Sequence, residues 1–346
     1  MVRTLIDIRS LTIDPNCWYA VAQSAELKTE PRSITLWGEP IALFRGADGV
    51  AHAVEDRCPH RQVKLSHGRV VAGSLECTYH GWRFDGDGRC THVPYREGSL
   101  PGCRLRTYPV REHDGFVWLF AGDPERAHAV EPLRLPEWDH LNYIATVAPI
   151  ACAAHYSYLI ENLMDMHHGH LHERFQAWGA AHLEKLEEHP GRIDALYEAQ
   201  SYYRIDRIWS VAQLFVPALR RAHPEALAVS YVYPHWCARL GEDFRLYCLL
   251  CPEGERSTRA YLVHFTSLEA FPDLHKLPVP FRRFVKDRCF GSAQGMLAGL
   301  IRQDVQMIEE EQRAHDRAPH RRNWEVNRAL AAVQRLWRQQ KKADVS

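Results

Sequence analysis

Two short segments of the chain each pair a thiol with an imidazole: Cys58-Pro-His60 and, sixteen residues later, Cys77-Thr-Tyr-His80. Together they offer two sulfurs and two nitrogens to a metal centre. A zinc finger of the usual kind pairs cysteine with cysteine in one half and histidine with histidine in the other, whereas here each half carries one of each. A second group lies in Glu161-Asn162-Leu163-Met164-Asp165-Met166-His167-His168-Gly169-His170-Leu171-His172. At about 100° per residue on a helix, Asp165, His168 and His172 fall within about 60° of one another, and Leu159, Leu163, Leu171 and Phe175 occupy another face. His168 and His172 stand at the i, i+4 spacing that lets two imidazoles reach one ion. His167 and His170 point to a different sector and read as surface or partly buried side chains.

Cys-Pro-His-Arg and Cys-Thr-Tyr-His-Gly-Trp resemble the ligand loops of Rieske proteins, whose 2Fe-2S cluster has two cysteines on one iron and two histidines on the other, a substitution that raises its potential. The resemblance implies that Cys58 and Cys77 hold the buried iron and His60 and His80 the outer one. Gly68, Gly73 and Gly81 suit the tight turns such loops need. Respiratory-type Rieske proteins add a disulfide between the loops. This chain has Val63 and Tyr79 at those places, so it resembles the lower-potential oxygenase kind, and Cys90 and Cys103 read as packing residues. Asn162-x-x-Asp165-x-x-His168 with His172 resembles the iron-binding helix of the Rieske non-haem iron aromatic-ring-hydroxylating oxygenases, in their alpha-subunit-like oxygenase component. Many members have four residues between the two histidines where this chain has three, which keeps His170 as an alternative to His172. The resemblance covers the domain order, both motifs and most of the chain.

Two histidines and one carboxylate leave three positions on iron(II) for dioxygen and substrate. Asp165 is a poor third ligand, because seven residues of helix put it about 10 Å from His172. The helical stretch from Leu297 to Gln312 offers a better one: Leu297, Leu300, Ile301 and Ile308 form an apolar stripe with Asp304 in its middle. A carboxylate facing a core is costly unless paired or metal-bound. Gln303-Asp304 followed by Glu311 resembles the family's carboxylate segment. Glu311 is the second candidate, and a buried salt bridge is the ordinary alternative. The resemblance then implies a mononuclear Fe(II) beside a Rieske 2Fe-2S cluster, and reductive oxygenation of a small aromatic or heterocyclic substrate by hydroxylation or oxidative demethylation. Electrons should come from a separate reductase or ferredoxin, since the chain has no Gly-x-Gly-x-x-Gly loop and no room for a flavin domain. Asn162 and Asp165 take catalytic places by the same resemblance. Asp165 is expected to accept from the outer nitrogen of His168 and, in a head-to-tail homotrimer, from His80 of a neighbouring copy. Trp209, Phe215, Tyr231, Tyr233, Trp236 and Phe265 could line a pocket, although aromatic residues on strands are more often core. A Rieske electron-transfer protein without oxygenase chemistry, and a zinc-stabilised interaction protein, are the competing readings.

Elements able to position these groups can be read from periodicity. The 346 residues predict two domains: 1–140, a Rieske domain with an N-terminal segment, and 141–346, a catalytic domain with C-terminal helices. The fold class is α+β, an antiparallel β unit followed by a helix-grip-like domain with a central antiparallel sheet. Strand-like runs at Ile34 to Trp37, Ile41 to Phe44, Val50 to Val54, Trp82 to Phe84 and Phe116 to Leu119 are separated by turn signals. Beyond them lie a helix near Tyr156 to Trp178 and strands at Tyr202 to Trp209, Ala228 to Tyr233, Phe244 to Leu250 and Ala260 to Phe265. Helical patterning runs from Phe281 to His315, and Leu330, Val333, Leu336 and Trp337 mark a docked terminal helix. Lys and Arg (43) balance Asp and Glu (43), which removes the field that would draw nucleic acid or an anionic membrane. The uncharged stretch Leu141 to Ile160 reads as a buried strand passing into a helix rather than a span. Without a secretory core near the N-terminus, the expected location is cytoplasmic, where ten cysteines read as burial or metal binding.

Overall fold

The computed structural model describes residues 7–175, 178–201, 222–271, 273–321 and 323–343. They divide into two units, one of residues 12–134 with 251–254 and the other of residues 7–11, 135–250 and 255–343. The first unit ends at residue 134, and residues 7–11 group with the second. Arg9 is the physical reason: its guanidinium pairs with Glu161 and lies 3.5 Å over the Tyr158 ring.

The first unit is built from β1 (Trp18–Gln23), β2 (Arg32–Leu36), β3 (Glu39–Arg45), β4 (Ala51–Glu55), β5 (Arg69–Val71), β6 (Ser74–Glu76), β7 (Arg83–Phe84), β8 (Cys90–His92), β9 (Thr107–Tyr108), β10 (Val110–His113) and β11 (Phe116–Phe120). They form three antiparallel sheets, ordered β1-β11-β10, β2-β3-β4-β9 and β5-β6-β7-β8. Each predicted run falls on one of these strands. Trp37 and Gly38 instead make the two-residue turn between β2 and β3, both with positive φ (47° and 83°), the conformation whose twist matches the flanking strands. Phe44, Leu65, Leu75, Phe84 and Leu105 pack into one core with Cys58 and Cys77, so the loops after β4 and β6 are anchored by their own cysteines.

The second unit contains β12 (Tyr143–Cys152), α1 (Tyr156–Met164), a 3₁₀ segment (Met166–Phe175), β13 (Trp178–His189), β14 (Arg192–Ser201), β15 (His223–Val232), β16 (His235–Leu240), β17 (Phe244–Gly254), β18 (Ser257–Ser267), α2 (Val279–Cys289), α3 (Gln294–Arg317) and α4 (Arg328–Ala343). Among the described residues the strands form one sheet, β12-β18-β17-β16-β15-β14-β13. β14 shows the strict alternation of a strand with one buried face. Helix α3 runs along β12, α4 packs on β13 and β14, and α1 lies against α3, α4 and β15. The stretch from Leu141 is, as expected, a strand leading into a helix, and no described helix is long and apolar enough to cross a membrane. The terminal helix docks through the predicted stripe. Leu330, Val333, Leu336 and Trp337 are all buried, each worth about 1.5–3 kcal/mol of transfer, and the Trp337 indole donates to the Tyr231 hydroxyl at 2.9 Å.

Two helices differ from expectation. The one expected from Tyr156 to Trp178 stops at Met164, because Asp165 is extended (φ −95°, ψ 100°) and its side chain accepts from the His167 N–H at 3.0 Å, opening a 3₁₀ segment. The one expected from Phe281 to His315 is split into α2 and α3 at residues 290–293, where Gly291 takes φ 76°. The strand expected from Tyr202 to Trp209 lies outside the described residues.

Candidate metal centres

The two Cys/His loops are copies of one turn. In each, the cysteine N–H donates to the carbonyl five residues on, Cys58 to Val63 and Cys77 to Trp82, at 2.9 and 2.8 Å. The N–H four residues on returns to the cysteine carbonyl, from Gln62 at 2.8 Å and Gly81 at 3.0 Å. That closure needs a left-handed residue, and Gln62 (φ 63°) and Gly81 (φ 68°) supply it. Gly68 serves differently: a Cβ there would lie 1.8 Å from the Glu76 carbonyl oxygen. Asp56, 2% exposed, accepts from Ser33 and from the Ser66 N–H and hydroxyl, tying down the first loop. Glu76, next to Cys77, accepts from Arg69 at 2.9 Å and Arg83 at 2.6 Å. Burial opposes its charge, but these two guanidiniums hold its carboxyl below the usual range.

Cys58 and Cys77 are buried and their thiols face one another; burial chiefly, with Cys77 adding, pushes the Cys58 thiol up to about 11. The His60 and His80 rings stand 4.4 Å apart, and His60 stacks on Trp82 at 4.7 Å. Among the described residues His60 Nδ1 is buried without a hydrogen-bond partner. Two facing thiols, two adjacent imidazoles and an orphaned ring nitrogen fit a 2Fe-2S cluster with mixed ligands. All ten cysteines are free thiols; Val63 packs on the core and Tyr79 is exposed, as a loop pair without a disulfide requires.

The second unit gathers His168, His172 and Asp304, whose ligand atoms lie within 4.8 Å of one another. Asp304 Oδ1 is 3.1 Å from His172 Nε2 and 3.6 Å from His168 Nε2. Yet His172 Nε2 makes no hydrogen bond of acceptable geometry, and three ligand atoms this close together around an orphaned ring nitrogen fit a bound metal ion. The other nitrogen of His172 meets Gln303 Oε1 at 3.0 Å. Such an outer partner fixes a ligand histidine's tautomer and orientation. Burial lowers the pKa of His168 against the pull of Asp304, whereas for His172 the carboxylate and Gln303 outweigh burial and raise it. Asn162 Nδ2 points to Asp304 Oδ1 at 3.5 Å. His170 is exposed, His167 turns toward Asp165, and neither joins the triad; nor does Glu311.

Asp165 is placed differently from expectation. The continuous helix that would have set its carboxylate beneath His168 is absent, and that carboxylate takes the His167 N–H and Asn327 Nδ2 at 3.0 and 2.9 Å. Trp178 was not foreseen. Its ring lies 5.3 Å from His168 and 5.0 Å from His172, its Nε1 donates to the Met166 carbonyl at 2.9 Å, and it leaves Gly169 no room for a Cβ. The triad opens on a cavity of about 120 Å³ lined by Leu163, Met166, Trp236, Phe244, Leu262, His264, Leu297, Leu300 and Ile301, among others. Of the aromatic candidates from the sequence, Trp236 lines it, Tyr231 and Phe265 are core, and Trp209 and Phe215 lie outside the described residues.

Residues 17–109 match the Rieske [2Fe-2S] domain family. The chain is 33% identical over 341 residues to 4beta-methylsterol monooxygenase of Methylococcus capsulatus, covering 95% of this chain and 89% of that one. It is 36% identical over 196 residues to the oxygenase component of dicamba O-demethylase from Stenotrophomonas maltophilia, covering 54% and 56% of the two. The crystal structure of dicamba monooxygenase bound to dicamba superposes with a TM-score of 0.75 at 24% identity over 96% of this chain and all of that one, showing the shared fold. The paired Cys/His turns, the converging triad and a relative aligned over nearly the whole length give one conclusion: the chain belongs to the Rieske non-haem iron oxygenases, oxygen-incorporating oxidoreductases that use a 2Fe-2S cluster and a mononuclear iron and are served by a separate electron donor.

Proposed function

We propose that the chain is a terminal oxygenase that oxidises a methyl group on a small ring compound, by hydroxylation or oxidative demethylation, with electrons from a reductase or ferredoxin. The observation that carries this is the convergence of His168, His172 and Asp304 on one wall of an apolar cavity. Two relatives support methyl oxidation by their names, one a methylsterol monooxygenase and the other an O-demethylase. In this reading Cys58, Cys77, His60 and His80 hold the cluster, and His168, His172 and Asp304 hold the iron. The cluster supplies single electrons, and the iron is the centre at which oxygen is activated. The chain's own residues prepare that centre. Gln303 aims the His172 imidazole, Asn162 steadies the Asp304 carboxylate, and the apolar lining excludes water so that charge interactions inside strengthen. Asp165 also serves electron transfer, its carboxylate receiving His80 of a neighbouring copy in a cytoplasmic homotrimer.

Iron and sulfide analysis of anaerobically reconstituted protein tests this reading. Two cluster irons and one further iron per chain are expected. Asp304→Ala and His172→Ala should each lose the single iron with the cluster spectrum intact, and His170→Ala should not. A preparation holding only zinc, or only the cluster irons, refutes the assignment. Asp165→Asn should keep both metals yet slow single-turnover electron delivery by orders of magnitude; a fully active monomer refutes its bridging role.

A further inference from the structure

The cavity has two unlike walls. Asn162, His168, His172 and Asp304 lie on the helical side, carried by α1, the 3₁₀ segment and α3, while Leu227, Trp236, Phe244, Leu262 and His264 come from the sheet. The sheet wall is apolar except for the rings of His264 and Trp236. His264 is 7% exposed and Trp236 4%, and among the described residues His264 Nδ1 and Trp236 Nε1 have no hydrogen-bond partner. An unmade hydrogen bond in a buried site costs about 1–3 kcal/mol, so native structures keep such groups where something else satisfies them. The two residues are on strands β16 and β18, separated by β17, and face the cavity with Ala238, Leu240 and Leu262 at the two-residue period of their strands. No lysine or arginine lines the cavity among the described residues. Burial alone lowers the His264 imidazole to about 4, so it is neutral and offers no counter-charge.

Resting on the oxygenase reading above, we infer that His264 and Trp236 are the polar end of the substrate site: they bind one uncharged oxygen, a hydroxyl or carbonyl, of an otherwise apolar ring compound whose oxidised carbon faces the triad on the opposite wall. A carboxylate is disfavoured there, since an ion moved into an apolar site needs a partner that the lining lacks. The volume fits one ring, being a little below the roughly 150 Å³ that accepts benzene. Larger skeletons must extend beyond it. The pair thus sets orientation as well as affinity, because a single hydrogen bond on the sheet wall decides which end of the ring meets the helical wall.

Calorimetric titration of the iron-loaded holoenzyme with 4-methylphenol, 1,4-dimethylbenzene and 4-methylbenzoate tests this. The phenol should bind about tenfold more tightly than the hydrocarbon, the ratio expected of one net hydrogen bond, and the benzoate should bind least. His264→Leu should erase the preference for the phenol by weakening it alone, His264→Gln should restore part of it, and Trp236→Phe should reduce it. Because the readout is a ratio within one preparation, a less stable variant still reports. A preference unchanged in His264→Leu and Trp236→Phe, or tightest binding of the benzoate, overturns the inference. Iron and sulfide content of the same samples separates the two failures: full metal with unchanged preference sinks the role of these residues alone, whereas absent mononuclear iron in the wild type sinks the oxygenase reading.

Discussion

Replacing Gly169 with alanine should weaken iron binding at the mononuclear site while leaving the cluster untouched. The added Cβ would stand 2.7 Å from the Trp178 carbonyl oxygen, 2.9 Å from its Nε1 and 3.0 Å from its Cδ1. That is about 0.7 Å inside ordinary contact. The tryptophan cannot easily retreat, since its carbonyl belongs to β13 and its indole is bonded to Met166 and flanked by both histidines. The 3₁₀ segment must move instead, and it carries His168 next to the substituted residue. Metal–ligand distances tolerate about 0.2 Å, so even a third of that displacement is felt. Overpacking of this kind costs about 1–3 kcal/mol, which taken wholly from metal binding is roughly 5- to 150-fold in affinity. Iron retained after dialysis against a chelator of graded strength measures the loss, with the cluster absorbance in the other unit as internal standard. Gly179→Ala is the control, for a Cβ there meets nothing within 4 Å. A Gly169→Ala protein with full third-iron occupancy and wild-type turnover would refute the argument and mean that the segment yields freely.

Gln303→Leu should weaken iron binding about 10- to 100-fold by releasing the His172 ring, read as chelator sensitivity, and Gln303→Glu should recover most of it. Gln62→Gly should raise the thermal midpoint of the cluster unit by the equivalent of about 1 kcal/mol, because it relieves a left-handed non-glycine residue; a lower midpoint would mean that the Gln62 side chain contributes more than its backbone costs. Since Glu76 is held below its usual range by Arg83 and Arg69, its stabilisation of the Cys77 loop is complete above the unfolded value near 4.3 and is lost as pH falls through its own lower value. Glu76→Gln should therefore lose cluster absorbance more readily than wild type at neutral pH, with the difference closing on acidification.

The sequence made the candidate metal centres readable because ligand types are chemically restricted: thiols and imidazoles in that alternation suit a mixed cluster, and Asp304 stands out by sitting in an apolar stripe. The second unit's strands were readable wherever one face is wet, as in β14. The break at Asp165 was missed because neither glycine nor proline marks it. Its local signal is an aspartate accepting from the N–H two residues on, the turn-forming habit of that side chain, and its tertiary support comes from Asn327, 162 residues away. Trp178 and His264 could not have been read at all. One is defined by what it packs against, and the other sits on a buried strand where a histidine looks like any core residue.

The early end of α1 makes one side chain answerable for two distant places in the chain. In an uninterrupted helix position 165 would be held by the regular bonds of its own turns; here its carboxylate accepts from the His167 N–H at 3.0 Å and from Asn327 Nδ2 at 2.9 Å. The segment that carries His168 and His172 is thus started by a side chain whose second tie lies 162 residues away, at the approach to α4. Natural variation at position 165 therefore reaches the ligand segment through the main chain of its neighbour, and a change at Asn327 reaches it without touching either histidine.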